Sequence, residues 1–186
     1  MRRCLHRSGR FLLPALLCFL IAATPASDVQ FNDITQAAGI DFKNENSATS
    51  NKYLVETMGG GVALLDYDND GRFDIFFVNG AKIDDPMPDG KAPEKSDRKF
   101  WNRLYHQNAA GTFTDVTEKA GLTGMPQNDY GMGVAVGDYD NDGFEDIYLT
   151  NYGGITLYHN NGNGTFTDVT KKAGVAAGGW SASAGF

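Results

Sequence analysis

Cysteine is nearly missing from this 186-residue chain: there are two, Cys4 and Cys18, and none follows. Beyond residue 18, therefore, no disulfide can form, and a core or bound metal must hold the domain. Acids are absent before Asp28, whereas Arg2, Arg3, Arg7 and Arg10 crowd the first ten positions. No apolar run reaches the roughly 20 residues that a membrane-spanning helix needs. The longest, Phe11–Ala23, is short and nearly all apolar, and small residues follow it at Thr24-Pro25-Ala26. Basic start, short apolar stretch and small-residue exit make residues 1–26 a secretory signal peptide, cleaved near Ala26. The mature domain is then 27–186, placed in the periplasm or outside the cell, with no membrane insertion after cleavage.

Basic residues are also scarce in that domain. The whole chain has 16 Lys+Arg against 23 Asp+Glu, a net charge of −7, and without the leader's four arginines it becomes −11. Such a surface repels nucleic-acid phosphate and anionic lipid, and it attracts cations. With 23 glycines and 12% aromatic residues the composition suits a turn-rich β protein.

What is present is repetition. Phe31-Asn-Asp-Ile-Thr-Gln-Ala-Ala-Gly-Ile40, Phe113-Thr-Asp-Val-Thr-Glu-Lys-Ala-Gly-Leu122 and Phe166-Thr-Asp-Val-Thr-Lys-Lys-Ala-Gly-Val175 are near copies. Gly61–Gly71 pairs with Gly133–Gly143, Asp74–Asn79 with Asp146–Asn151, and Leu104–Asn108 with Leu157–Asn161, always in the same order. Phe113 and Phe166 lie 53 residues apart, but the two Asp-rich loops lie 72 apart. The surplus falls within Ala81–Trp101, rich in Pro, Asp and Lys, and a second excess lies between Ile40 and Met58. Both read as surface excursions from a unit of about 50 residues.

Within the second unit, Gly133–Val136, Ile147–Asn151, Thr156–His159 and Thr165–Val169 read as strands, and Thr170–Ala173 as one helical turn ending at Gly174. Asn161-Gly-Asn-Gly164 is a hairpin signal, because Asn and Gly tolerate positive φ. That reading also accounts for Asn163-Gly-Thr165, which has the form of a glycosylation sequon. Four antiparallel strands in such a period predict an all-β fold of β-propeller blades, here about two and a half. Trp180–Phe186 aligns with Tyr130–Val136, the strand entering the second Asp loop. Because propellers close with about four to eight blades, the native protein is expected to continue into a third such loop.

The chemistry is concentrated in Asp66-Tyr-Asp68-Asn-Asp70-Gly-Arg72-Phe-Asp74 and Asp138-Tyr-Asp140-Asn-Asp142-Gly-Phe144-Glu-Asp146. Each places Asp at positions 1, 3, 5 and 9 and Gly at 6. Alternate carboxylates can converge on one centre, joined by the backbone carbonyl of position 7, Arg72 or Phe144. Six to eight hard oxygens at flexible geometry suit Ca²⁺. With ligands all oxygen and no Cys or imidazole near, the loops favour Ca²⁺ over Mg²⁺ or Mn²⁺. An EF-hand requires Glu at position 12, where Phe77 and Leu149 stand. A haloacid-dehalogenase-type nucleophile at Asp66 does not fit Asp70 or the duplication, and a plain acidic turn does not account for four matched carboxylates occurring twice. His106 and His159 share a repeat position after Tyr, which gives them a common strand role, not a catalytic one. Tyr67, Phe73, Tyr139 and Phe144 are expected to pack between blades.

On these residues the chain, from about Val29 to Phe186, resembles the FG-GAP/VCBS repeat family, the calcium-binding blades of integrin-α-like propellers. The Phe-Thr-Asp-Val-Thr units are similar to the ASPIC/UnbV, cartilage acidic protein-like subgroup. The Gly-Ala-Pro of the family's name is missing, and that subgroup's C-terminal domain does not fall within these 186 residues. The resemblance implies a Ca²⁺-dependent, non-enzymatic recognition or adhesion module with a protein or carbohydrate ligand. The alternative is the propeller portion of a secreted polysaccharide-active enzyme. Within this chain only Ala81–Trp101, with Asp84, Asp85 and Asp89, is long enough to carry a site for it.

Overall fold

β-branched and aromatic runs broken by Asn, Asp and Gly fold as successive hairpins, and a computed structural model shows them for residues 29–123 and 129–186. The expected signal peptide lies outside the described residues. Ile34–Phe186 forms one unit, and of the other, Met1–Asp33, only residues 29–33 are described. The first sheet runs β1 (Val62–Leu65), β2 (Asp74–Phe77), β3 (Arg103–Gln107) and β4 (Phe113–Asp115). The second runs β5 (Tyr130–Gly137), β6 (Asp146–Tyr152), β7 (Ile155–Asn160) and β8 (Phe166–Asp168). Each is an antiparallel meander in chain order. The four strands read from the second unit are all found, within one to three residues at each end. The helical turn is a single turn closed by Ala173 N donating to Val169 O at 2.7 Å.

The sheets share one core. Leu65, Phe76, Val78 and Leu104 from the first meet Ile147, Leu149, Tyr158 and Phe166 from the second, with Ala120 and Leu122 of the repeated Phe-Thr-Asp-Val-Thr segment. Each segment also holds the outer strand of the next sheet: Phe113 N donates to Ala38 O at 2.7 Å and Phe166 N to Ala120 O at 2.9 Å. The inner strands approach backbone to backbone. A Cβ on Gly131 would lie 2.4 Å from Val78 Cγ1 and 2.5 Å from Asn79 O, so only glycine fits there. The last residues repeat that approach: a Cβ on Gly61 would lie 3.1 Å from Gly133 Cα, and one on Gly133 would lie 2.9 Å from Ala182 O.

The two excursions are not free surface loops. Ala81 and Ile83 join Val55, Tyr130 and Met132 in a second apolar cluster, and Phe100 is buried. Ser50 donates from its N and Oγ to Asp85 Oδ2, tying one insertion to the other. Composition misleads here because Pro, Asp and Lys mark a segment as polar without saying which atoms are covered. Lys95 shows this best. Fully buried, its Nζ donates to Asn79 O at 2.6 Å and Asn102 Oδ1 at 2.9 Å.

Burial pushes the Lys95 ammonium down to about 7, against the pull of the Asp129 carboxylate. Below that value Lys95 is protonated in both states, and above it only the unfolded chain retains the proton, so stability rises with pH. From about pH 7 to about pH 8.5 the gain is roughly 2 kcal/mol. Denaturant melts of wild type and Lys95→Met across this range check it. The wild type should gain on the variant as pH rises; a constant difference would contradict the burial argument.

Candidate metal centre

Each Asp loop is a hairpin joining the first two strands of its sheet. Its shape follows from Asn at position 4 and Gly at position 6. Asn69 has φ +56° and Asn141 +61°, with Gly71 at +84° and Gly143 at +92°. Both residue types tolerate this left-handed region. The turn aims backbone N–H groups at the first carboxylate. Asp66 Oδ1 accepts from Asp70 N and its Oδ2 from Gly71 N, both at 2.9 Å; Asp138 accepts from Asp142 N at 3.0 Å and Gly143 N at 2.9 Å. Asp70 Oδ1 accepts from Arg72 N and Asp142 Oδ1 from Phe144 N, each at 2.9 Å.

Position 9 closes each pocket from below. Asp74 and Asp146 have no exposed surface. Asp74 accepts from Tyr67 N at 3.2 Å and Gln107 N at 2.8 Å, and Asp146 from Tyr139 N at 3.0 Å and Asn160 N at 2.8 Å. Burial raises both carboxyls above the ordinary Asp value, against these N–H groups and the neighbouring histidine.

The expectation that no imidazole lies near is wrong. His106 on β3 places Nδ1 3.2 Å from Asp74 Oδ1 and 3.5 Å from Asp68 Oδ2; His159 on β7 places it 3.3 Å from Asp146 Oδ1 and 3.4 Å from Asp140 Oδ2. Strand pairing brings them in from the third strand of each sheet, more than a dozen residues beyond the loop, and their matched repeat position was the only sequence signal. The Tyr at position 2 packs edge-on against the ring, with Tyr67–His106 and Tyr139–His159 centroids both 6.0 Å apart. Of the aromatics expected between blades, Tyr67 is buried and stacks on Phe166 at 6.3 Å, and Phe144 covers Gly162. Phe73 and Tyr139 are exposed instead.

The structure thus brings together Asp66, Asp68 and Asp70, and Asp68, Asp74 and His106, each set offering ligand atoms within 4.8 Å of one another. Asp138, Asp140 and Asp142, and Asp140, Asp146 and His159, do the same. Shared Asp68 and Asp140 join the sets into one pocket per sheet. Their charge is felt nearby: burial, then the charges of Asp68, Asp74 and Asp70, push the Tyr67 hydroxyl up to about 12. A field that resists a phenolate favours a cation. Nδ1 of both histidines is buried and lacks a hydrogen-bond partner among the described residues. An acid-rich donor set beside an orphaned buried nitrogen fits a bound cation.

The pockets touch each other. Glu145 Oε2 accepts from Asp66 N at 2.9 Å, Asn69 Nδ2 donates to Gly143 O at 3.0 Å, and Asn160 Nδ2 donates to Tyr67 O at 2.8 Å. Sequence reasoning did not single out Glu145 or Asn160, because their partners lie in the other repeat.

The model of the FG-GAP-like repeat matches residues 66–149 and 138–186. The chain belongs to the FG-GAP-like repeat family. Cartilage acidic protein 1 of Mus musculus is 34% identical over 121 residues, covering 63% of this chain and 17% of that protein. Cartilage acidic protein 1 of Homo sapiens is 32% identical over 121 residues, with 63% and 16% covered. The chain therefore spans about a sixth of the length of these relatives. Among the described residues no helix is long and apolar enough to cross a membrane.

Proposed function

We propose that residues 27–186, exported behind the 1–26 leader, form the calcium-binding propeller portion of a non-enzymatic recognition or adhesion module. One ion would be held by Asp66, Asp68, Asp70, Asp74 and the Arg72 carbonyl, the other by Asp138, Asp140, Asp142, Asp146 and the Phe144 carbonyl. The observation carrying this reading is the pair of matched pockets, each with four carboxylates on a turn whose backbone is the same in both repeats. Calcium would act structurally, cancelling repulsion among carboxylates and fixing the hairpin that opens each sheet. Carboxylates outnumber the single imidazole four to one, which favours a hard cation.

Two of the three acids singled out in the longer insertion, Asp84 and Asp85, are used internally, and this weighs against the enzyme reading. Asp84 pairs with Lys91, and Asp85 accepts from Ser50 and Asn51. Family membership and the cartilage acidic protein relatives likewise point to a repeat module whose surface, not a reactive group, does the work. Incubating the protein with a panel of acidic and neutral polysaccharides, with calcium or with EDTA, separates the two. We expect calcium-dependent retention of an unchanged polymer or no retention. Chain shortening by the purified protein would establish the enzyme reading.

A further inference from the structure

The two pockets share the hydrogen bonds within each loop and to its position 9, and they differ at position 7, Arg72 or Phe144, and at position 8, Phe73 or Glu145. In the second loop Phe144 turns away from the carboxylates: its ring covers Gly162, where an added Cβ would lie 2.7 Å from Phe144 Cε2. Asp142 Oδ1 is held by Phe144 N, and Oδ2 lies 3.9 Å from His159 Nε2. In the first loop the same position is Arg72. Its Nε donates to Gln107 O at 2.8 Å, which anchors the guanidinium over the loop, and its Nη2 forms an ion pair with Asp70 Oδ2. Asp70 therefore has both oxygens engaged by residue 72, one by its backbone N–H and one by its side chain.

We infer that Arg72 is a built-in competitor for the cation in the first pocket, so the two pockets fill in order, the second before the first. This rests on the calcium reading above. An incoming ion must take Asp70 Oδ2 from the guanidinium, and it then sits beside a fixed positive charge. The Nε–Gln107 bond keeps that charge close even when Asp70 lets go. Repulsion between a single and a double charge about 6 Å apart in a water-like dielectric corresponds to roughly a tenfold loss of affinity. Phe144 imposes no such cost. The first pocket would then respond to calcium over a concentration range in which the second is already full.

Calorimetric titration of calcium into the chelated full chain tests this. Wild type should show two steps with dissociation constants about tenfold apart. Asp142→Ala should leave the weaker step and Asp70→Ala the tighter one, which assigns them. Arg72→Ala keeps the position 7 carbonyl but removes the guanidinium, and it should merge the steps by tightening the first pocket. Arg72→Gln, which retains a long polar side chain without charge, should do the same if Arg72→Ala proves unstable. Two equal steps in wild type, or a first pocket unmoved by Arg72→Ala and Arg72→Gln, would overturn the competitor role and leave the calcium reading standing. No uptake of calcium by wild type would end both.

Discussion

Asp146→Ala should be among the most damaging single substitutions in this chain, and the damage should persist in EDTA. The carboxylate has no exposed surface and accepts from Tyr139 N and Asn160 N. Alanine would leave two backbone donors without an acceptor at a position with no exposed surface, at a cost of about 2–4 kcal/mol. For a protein with a total stability of about 5–15 kcal/mol that is a large share, and it should lower the melting temperature by roughly 5–15 °C. Asp74→Ala should behave alike, having the same two kinds of donor. Asp142→Ala should differ. That residue is partly exposed and holds one N–H of its own loop, so its loss should matter chiefly when calcium is present. Thermal melts of the variants with and without EDTA separate the cases. An Asp146→Ala protein that melts like wild type in EDTA would show that position 9 only binds metal.

How far the sequence discloses the fold depends on which bonds are local. The strands of the second unit are legible because each is a short apolar run between Asn, Asp and Gly. The Asp loops are legible because the clustered carboxylates and turn residues lie within nine positions. The Phe-Thr-Asp-Val-Thr segments reveal the repeat, although the hydrogen bonds from Phe113 N to Ala38 O and from Phe166 N to Ala120 O show what it is for. What stays hidden is what pairing creates. His106 reaches its pocket through the β2–β3 register, Glu145 crosses to the other repeat, and Lys95 is buried by chain that looks polar from its letters. Phe73 misled in the other direction: an aromatic beside an Asp-rich loop reads as packing, yet it is 64% exposed.

Filling both pockets should have an effect of comparable size. A ligand that binds only the folded state stabilises by RT ln(1 + [L]/Kd), about 2.7 kcal/mol per site at a hundredfold excess. Two sites give roughly 5 kcal/mol, or a rise in melting temperature of about 10–20 °C. Magnesium should reproduce little of it, because a small ion that demands octahedral geometry and keeps its waters is poorly served by these flexible loops. Zinc matching calcium would point to His106 and His159 as ligands and would shift the identity of the ion toward the metals that imidazole suits.

Equilibrium dialysis of the chelated protein against calcium, followed by melting of the same samples, tests the central claim most directly. Two calcium ions per chain are expected, with one lost in Asp68→Ala/Asp70→Ala, the other lost in Asp140→Ala/Asp142→Ala, and the melting temperature following occupancy. No bound calcium, together with a melting curve that EDTA leaves unchanged, would contradict it.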